Sequence, residues 1–202
     1  MSGRRAVFVD RDGVLIRDVN HLTSPSQIEV LPGVAESLRR LRGAGWAVVV
    51  VTNQSVVARG MVTEEGLREI HATLESLLRS RGAPLDAIYY CPHHPDGTVA
   101  AYRAACDCRK PRAGLLLRAA ADLGLDLEAS VMVGDAASDI EAGRRAGCRT
   151  VLLRVAGETG ASDVSGADHV AADLAAAADW ILTTPAATGA LPQVDPGHHT
   201  PN

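Results

Sequence analysis

The chain has 202 residues, enough for one well-packed domain and too few for two of ordinary size. Hydrophobic residues make up 47 % and charged residues 22 %, the balance of a soluble globular protein, and the 3 % of aromatic residues predicts an aliphatic core. A formal net charge of -4 gives no electrostatic reason to expect a nucleic acid or an anionic membrane as a partner. No apolar run approaches the ~20 residues of a membrane span, and residues 1–5 lack the apolar region of a signal peptide, so we expect a cytoplasmic protein.

The first predicted strand carries two acidic residues at its end. Residues 6–9 are apolar and predict a short buried strand, and Asp10, Asp12 and Gly13 follow it. In an open α/β sheet, ligands bind beyond the carboxyl ends of the strands, where these two carboxylates would lie. Because the carboxylates repel each other, the pair favours a bound cation such as Mg²⁺. A plain surface turn is the alternative, since Asp and Gly are ordinary turn residues.

Helices and strands alternate along the rest of the chain. The apolar spacing predicts helices over residues 34–43, 63–82, 114–123, 140–146 and 171–182, and strands over residues 46–53, 85–90, 130–133, 150–153 and 168–170. The valine-rich second strand is typical of a strand that is buried on both faces. This alternation predicts a doubly wound, mostly parallel α/β sheet in a single domain over residues 1–182. The composition of residues 183–202 predicts a disordered tail.

Two polar stretches follow the first two strands. Thr52 and the residues up to Ser55 can donate hydrogen bonds to a phosphoryl oxygen, and turn or cap formation is the alternative. Residues 17–29 predict a polar loop at a strand end, where loops often contact substrate, although a plain connector is equally open. His71 lies on the predicted second helix, and we interpret it as a structural or solvated residue rather than a ligand.

A cluster of cysteine and histidine is the most specific local signal in the chain. Cys91 and His93 are two positions apart, as are Cys106 and Cys108, and twelve residues separate the two pairs. Three thiolates and an imidazole complete a tetrahedral Zn²⁺ shell with no open position, so the set predicts a structural zinc that orders this loop. His94 is the competing imidazole. A Cys106–Cys108 disulfide is the alternative to a metal, and a reducing compartment disfavours it.

Charged residues follow this loop and the next strand. Arg109 and Lys110 come directly after the last thiolate, so a zinc site would fix where two phosphate-binding cations point. A solvated basic pair is the alternative. Asp135 follows the strand over residues 130–133 and can complete the cation site. Asp139 comes one helical turn later and can support the lysine or the water shell of the metal.

The combined pattern resembles the haloacid dehalogenase (HAD) superfamily of phosphatases. The matching positions are Asp10, Asp12, Thr52, Lys110 and Asp135. The stretch from Cys91 to Pro111 is similar to the zinc-containing branch of that superfamily, and the resemblance covers residues 5–182. It implies a HAD-like fold without a large cap domain, a monomer, a structural Zn²⁺, a catalytic Mg²⁺ and a phosphorylated sugar as substrate. A non-catalytic binding protein of the same fold is disfavoured, because no binding role requires all five matching positions.

The resemblance implies a role for each of these residues. Asp10 would be the nucleophile and a Mg²⁺ ligand, and Asp12 the general acid and base, with its backbone carbonyl on the metal. Asp135 would be the third Mg²⁺ ligand, and Asp139 would support the ligands without binding the metal directly. Thr52 and Lys110 would hold the transferring phosphoryl group.

Further implied residues recognise the substrate. Arg109 would bind its distal phosphate. The sugar pocket would be lined by Asp18, Asn20, His21, Asn53, Gln54 and Ser55.

The resemblance also implies a reaction. We expect Mg²⁺-dependent removal of the 7-phosphate from D-glycero-D-manno-heptose 1,7-bisphosphate through an aspartyl-phosphate, which leaves heptose 1-phosphate for the synthesis of nucleotide-activated heptose. Histidinol phosphate, from histidine biosynthesis, is the alternative substrate, and the twelve-residue gap between the zinc-ligand pairs favours the sugar. Ile16, Val56 and Ala136 depart from the family pattern, so the preferred anomer stays open.

Overall fold

A six-stranded parallel sheet forms the centre of the molecule. The computed structural model describes residues 3–154 and 166–184. The strands are β1 (Arg4–Val9), β2 (Ala47–Asn53), β3 (Ala87–Cys91), β4 (Leu125–Gly134), β5 (Arg149–Leu153) and β6 (His169–Ala171). Their order is β3-β2-β1-β4-β5-β6, and every neighbouring pair is parallel. The chain adds β2 and β3 on one side of β1 and then β4 to β6 on the other, so the topological switch point lies between β1 and β4.

Five helices cover the two faces of this sheet. They are α1 (Val34–Gly43), α2 (Glu64–Ser80), α3 (Gly114–Leu123), α4 (Ala137–Arg145) and α5 (Leu174–Thr183). Alternate residues of β1 enter opposite cores: Val7 and Val9 pack with α1, α2 and α5, whereas Ala6 and Phe8 pack with α3 and α4. The predicted doubly wound α/β fold is confirmed.

Two elements begin earlier than the apolar pattern predicts. β4 begins at Leu125 rather than residue 130, because its first residues pair with Arg4 and Arg5 across a register shift in β1. Those residues include acidic side chains, so they carry no apolar strand signal. α4 begins at Ala137 rather than residue 140.

The last helix begins later than predicted. Ala171 belongs to β6, and α5 begins at Leu174 because the Asp173 side chain accepts a hydrogen bond from Ala176 N and caps the helix. The helix includes Thr183, which was assigned to the tail, and residues 185–202 of the predicted tail lie outside the described residues.

The loops at the carboxyl ends of the strands form the accessible edge of the sheet. In the described part of the chain, these connections include no large cap domain. Of the helices in residues 3–154 and 166–184, none is long and apolar enough to cross a membrane.

Candidate active site

The carboxyl ends of β1, β2 and β4 meet at the switch point, where open α/β sheets bind their ligands. Asp10 follows β1 directly, and its N–H donates to Val133 O at 3.0 Å. Val9 pairs with Val50 in β2 and with Val133 in β4, so the three strands end at nearly the same level. This register brings the residues after each strand into one crevice.

Gly13 permits the close approach of Asp135 to the turn after β1. Gly13 has φ 74°, and a Cβ at this position would lie 1.9 Å from Asp135 Oδ2. Carboxylate oxygens of Asp10, Asp135 and Asp139 lie within 4.8 Å of one another. A glycine after the Asp-x-Asp motif is therefore a requirement of the carboxylate cluster.

The cluster concentrates negative charge. Burial, together with the charges of Asp10 and Asp139, raises the pKa of Asp135 to about 7. A cation in the cluster would relieve this repulsion, and hard carboxylate oxygens suit Mg²⁺. The donor set therefore fits the magnesium site expected from the sequence.

Lys110 supplies the positive charge beside this cluster. Its side chain is 1 % exposed, and Nζ lies 3.0 Å from Asp10 Oδ1 and 2.6 Å from Asp139 Oδ1. Nζ also donates to Val51 O at 2.8 Å. Burial opposes the charge, but the two carboxylates outweigh burial and raise the pKa of Lys110. Asp139 thus lies beside the lysine, and its Oδ2 accepts from Ala136 N at 3.1 Å.

Asn53 joins the loop over residues 92–110, which carries three of the four predicted zinc ligands, to the end of β2. Its Oδ1 accepts from Lys110 N at 3.0 Å, and its Nδ2 donates to Lys110 O at 3.1 Å. This reciprocal pair fixes the backbone of Lys110 and therefore the origin of its side chain. Both polar atoms of the Asn53 amide are used in this contact.

A buried arginine contacts Asp12. Arg11 is 1 % exposed, and its guanidinium turns back onto the Asp12 carboxylate, with Nη2 2.9 Å from Oδ2 and 3.0 Å from Oδ1. Gln54 accepts from Arg11 Nη2 at 2.8 Å and donates from Nε2 to Asp12 Oδ2 and to Thr52 Oγ1, both at 2.9 Å. The Gln54 side chain therefore links Asp12 to Thr52.

His71 completes this network from helix α2. It is 6 % exposed, its Nε2 lies 3.2 Å from Arg11 Nη1, and its ring contacts the ring of Tyr90. Burial, with the adjacent charge of Arg11, lowers the pKa of His71 to about 3. The ring is neutral at pH 7, so its Nε2 accepts the Arg11 hydrogen. Of the two alternatives left open by the sequence, a solvated residue is excluded.

A cavity of about 260 Å³ opens beside Asp10 and Asp12. The residues predicted for the sugar pocket all contribute to its wall: Asp18, Asn20, His21, Asn53, Gln54 and Ser55. Val56 and Ala136, two of the departures from the family pattern, line it as well. Arg109 lies outside this lining, and its Nη1 donates to His93 O at 3.2 Å.

The predicted zinc ligands come together in one tight group. Cys108 Sγ lies 3.2 Å from the sulfurs of Cys91 and Cys106 and 3.4 Å from His93 Nδ1. The four ligand atoms lie within 4.8 Å of one another, and the three cysteines are free thiols. His94 takes a different role, since its Nδ1 accepts from Asp96 N at 3.1 Å.

Two members of the site were missed at the level of sequence. Arg11 carried no separate signal, because an arginine between two aspartates is ordinarily solvated. His71 is separated from Arg11 by 60 positions, so their contact depends on how α2 packs. A histidine within the apolar stripe of that helix was the one available hint.

Comparisons with known proteins first show the broad class of protein to which the chain belongs. Residues 107–177 match a family model described as HAD-hydrolase-like. Among solved structures, the fold is similar to the D,D-heptose 1,7-bisphosphate phosphatase from B. bronchiseptica complexed with magnesium and phosphate. That comparison has a TM-score of 0.75 and 35 % identity, and covers 88 % of this chain and 98 % of the other. The fold is that of a HAD-like phosphatase.

Proteins of similar sequence identify the family within this class. The chain is 41 % identical to the D-glycero-beta-D-manno-heptose-1,7-bisphosphate 7-phosphatase of Yersinia pestis, over 89 % of this chain and 90 % of the relative. It is 43 % identical to the D-glycero-D-manno-heptose-1,7-bisphosphate 7-phosphatase of Thermosynechococcus vestitus, over 89 % of this chain and 96 % of the relative. The chain belongs to this phosphatase family of the HAD-like hydrolases.

Proposed function

We propose that this phosphatase removes the 7-phosphate of D-glycero-D-manno-heptose 1,7-bisphosphate through an aspartyl-phosphate on Asp10 and leaves heptose 1-phosphate. The observation that carries the proposal is the position of the Asp10 carboxylate at the switch point, between the ammonium of Lys110 and the carboxylate of Asp135. Relatives named for this reaction, at 41 % identity over 89 % of the chain, support the choice of substrate.

The reaction divides into two half-reactions. In the first, a carboxylate oxygen of Asp10 attacks phosphorus, the bond from phosphorus to the sugar oxygen breaks, and Asp12 gives that oxygen a proton. In the second, water attacks phosphorus, its proton passes to Asp12, and the bond from phosphorus to Asp10 breaks to release inorganic phosphate. The proton taken from water replaces the one that Asp12 gave to the sugar oxygen, so the enzyme returns to its starting state.

Two buried groups hold the transferring phosphoryl group in this proposal. The Lys110 ammonium keeps its positive charge in the interior, beside Asp10, and would stabilise the negative charge of the phosphoryl oxygens there. The Thr52 hydroxyl accepts from Gln54, so its own hydrogen is left to donate to the substrate.

The carboxylate cluster fits a resident Mg²⁺, held by Asp10, Asp135 and the backbone carbonyl of Asp12. When bound, the ion supplies positive charge against the phosphate and the attacking carboxylate. The raised pKa of Asp135 supports the assignment, because it reflects negative charges that a cation would balance.

We assign a structural Zn²⁺ to Cys91, His93, Cys106 and Cys108. Zinc–sulfur bonds of about 2.3 Å in a tetrahedron separate two sulfurs by about 3.8 Å, and the sulfur distances of 3.2 to 3.5 Å are close to that value. Four protein ligands leave no position for substrate, so this metal orders the loop and takes no part in the chemistry.

Histidinol phosphate is not favoured as the substrate, because the relatives reported above carry the heptose name. We also propose that the protein acts in the cytoplasm, and free thiols in the cluster suit a reducing compartment. The monomeric state stays a prediction.

Asp10→Asn tests the covalent mechanism. The amide keeps the size of the side chain and removes the nucleophile, so phosphate release should fall by at least about 1,000-fold while thermal unfolding is preserved. Asp122→Asn, an exposed carboxylate on α3, is the matched control and should keep full activity. Residual activity of Asp10→Asn near the wild-type rate would exclude the mechanism.

A further inference from the structure

The inner side of the Asp12 carboxylate faces hydrogen-bond donors. Oδ2 accepts from Arg11 Nη2 and from Gln54 Nε2, both at 2.9 Å, while the closest of these donors to Oδ1 is Arg11 Nη2 at 3.0 Å. The Asp12 side chain is 24 % exposed on its outer side, where the cavity lies. Arg11 Nε and Nη2 contact both oxygens, and of the two only Oδ2 also accepts from Gln54, so Oδ1 is the oxygen that we assign to proton transfer.

The orientation of the Gln54 amide follows from the same contacts. Because Oε1 accepts from Arg11, Nε2 must point the other way, and its two hydrogens reach Asp12 and Thr52. A donor array of this kind matches a carboxylate, which accepts hydrogen bonds, and it offers no acceptor to a carboxylic acid.

His71 holds the far side of the guanidinium. Its Nε2 accepts from Arg11 Nη1 at 3.2 Å, while the Arg11 edge that carries Nη2 contacts Asp12 and Gln54. His71 therefore acts on Asp12 only through Arg11. A buried guanidinium that lost this acceptor would keep an unpaired N–H, and the side chain would shift to satisfy it.

We propose that His71 and Arg11 are positioning residues that hold the Asp12 carboxylate for the second half-reaction, in which it takes a proton from water. The inference rests on the proposed function. In this step the water oxygen bonds to phosphorus, the water proton passes to Asp12 Oδ1, and the bond from phosphorus to Asp10 breaks. The donor array suits this step, because only here does Asp12 begin as the carboxylate.

Substitutions at His71 distinguish a positioning role from a general loss of structure. His71→Phe keeps an aromatic ring against Tyr90 but removes the acceptor for Arg11. His71→Gln keeps an acceptor at the same distance along the side chain, so it should rescue the function. His169→Phe is the matched control, because it makes the same change at the opposite edge of the sheet, where His169 stacks on Trp180.

Stopped-flow kinetics with p-nitrophenyl phosphate and Mg²⁺ measure the two half-reactions separately. The first release of nitrophenolate reports the attack by Asp10, and the later steady rate reports hydrolysis of the phosphoenzyme. We expect the burst rate of His71→Phe to stay within about twofold of the wild-type rate. Its steady rate should fall by about 10-fold, which is less than the full contribution of a general base. His71→Gln should restore the steady rate to within about twofold, and His169→Phe should change neither rate.

The outcomes are decisive whichever sugar the enzyme uses. The proposal is overturned if the burst slows as much as the steady rate, if His71→Gln fails to rescue, or if His169→Phe has the same effect as His71→Phe. A wild-type enzyme that hydrolyses the aryl ester and not the heptose bisphosphate would refute the proposed substrate, and the comparison of half-reactions would still decide the role of His71. Thermal unfolding of the three variants shows whether each is folded.

Discussion

Lys110 illustrates at the scale of single residues how neighbours decide the charge of a buried group. Its ammonium would be costly to bury by itself, but Asp10 and Asp139 lie within 3.0 Å of it and favour the charged form. The same carboxylates raise the pKa of Asp135, which the lysine opposes only in part. Three carboxylates facing one ammonium leave two negative charges in excess when all four groups are ionised, and a divalent cation would balance them.

Stabilisation by Mg²⁺ should depend on pH through Asp135. Without a cation, the folded protein keeps a proton on Asp135 up to about pH 7, whereas the unfolded chain loses it near the ordinary value of 3.8. The folded state then holds more protons, so the free energy of unfolding falls as the pH rises through 7. Mg²⁺ should replace this proton, and the rise in Tm on adding Mg²⁺ should be larger at pH 8 than at pH 6. Asp135→Asn should abolish this difference, and an equal rise in Tm at both pH values in the wild type would contradict the assignment.

Arg109→Ala should separate bisphosphates from monophosphates. Arg109 lies outside the wall of the cavity beside Asp10, and its guanidinium donates to the His93 carbonyl. In its proposed role it binds the distal phosphate and not the reacting one. We expect kcat/KM to fall at least about 10-fold more for the bisphosphate than for a sugar monophosphate, as for the loss of a charge-assisted contact. Arg118→Ala, an exposed arginine on α3, is the control. Equal losses on both substrates would refute the distal role.

Sequence reasoning predicted which residues come together where their position follows from their chain neighbours. Asp10 and Asp135 each follow a strand, and the four zinc-ligand positions form two short pairs. It did not predict the burial of Arg11 or its contact with His71, because both depend on which helix covers the arginine. The contacts of Gln54 with three polar neighbours could not be predicted either, because they also depend on tertiary packing.

At the scale of elements, the loop over residues 92–110, which carries three of the proposed zinc ligands, is held in place at both ends. Tyr90 and Tyr102 donate to the Glu64 carboxylate at 2.8 and 2.7 Å, which ties the loop to the start of α2 and lowers the pKa of Glu64. At its other end, Asn53 holds the backbone of Lys110. The position of Lys110 therefore depends on the order of a loop that has few apolar residues.

Loss of the zinc site should impair catalysis from a distance. Cys106→Ser removes one proposed ligand, so zinc content should fall from about one per chain to near zero, and activity should fall about 100-fold as Lys110 loses its position. Cys148→Ser changes a buried cysteine outside the cluster and should keep both the zinc and the activity. Metal analysis and phosphate release measure the two quantities. A stable, active wild-type protein without zinc would contradict the structural role.

At the scale of the whole molecule, the strand order explains why residues from distant parts of the sequence meet. β1 lies in the middle of the sheet with β2 on one side and β4 on the other, so Asp10, Thr52 and Asp135 lie at the carboxyl ends of neighbouring strands. Alternating helices and strands predicted this arrangement, since parallel strands need helical crossovers. The early start of β4 could not be predicted, because its first residues gain their partners only from the register of β1.

The most direct test of the account is phosphate release, with Mg²⁺, from the two anomers of D-glycero-D-manno-heptose 1,7-bisphosphate and from histidinol phosphate. Asp10→Asn serves as the blank. We expect one heptose anomer to have a kcat/KM on the order of 100-fold above that of histidinol phosphate, because only the bisphosphate can use a second phosphate contact. Preference for histidinol phosphate, or no release from either heptose anomer by folded protein that contains both metals, would contradict the proposed function.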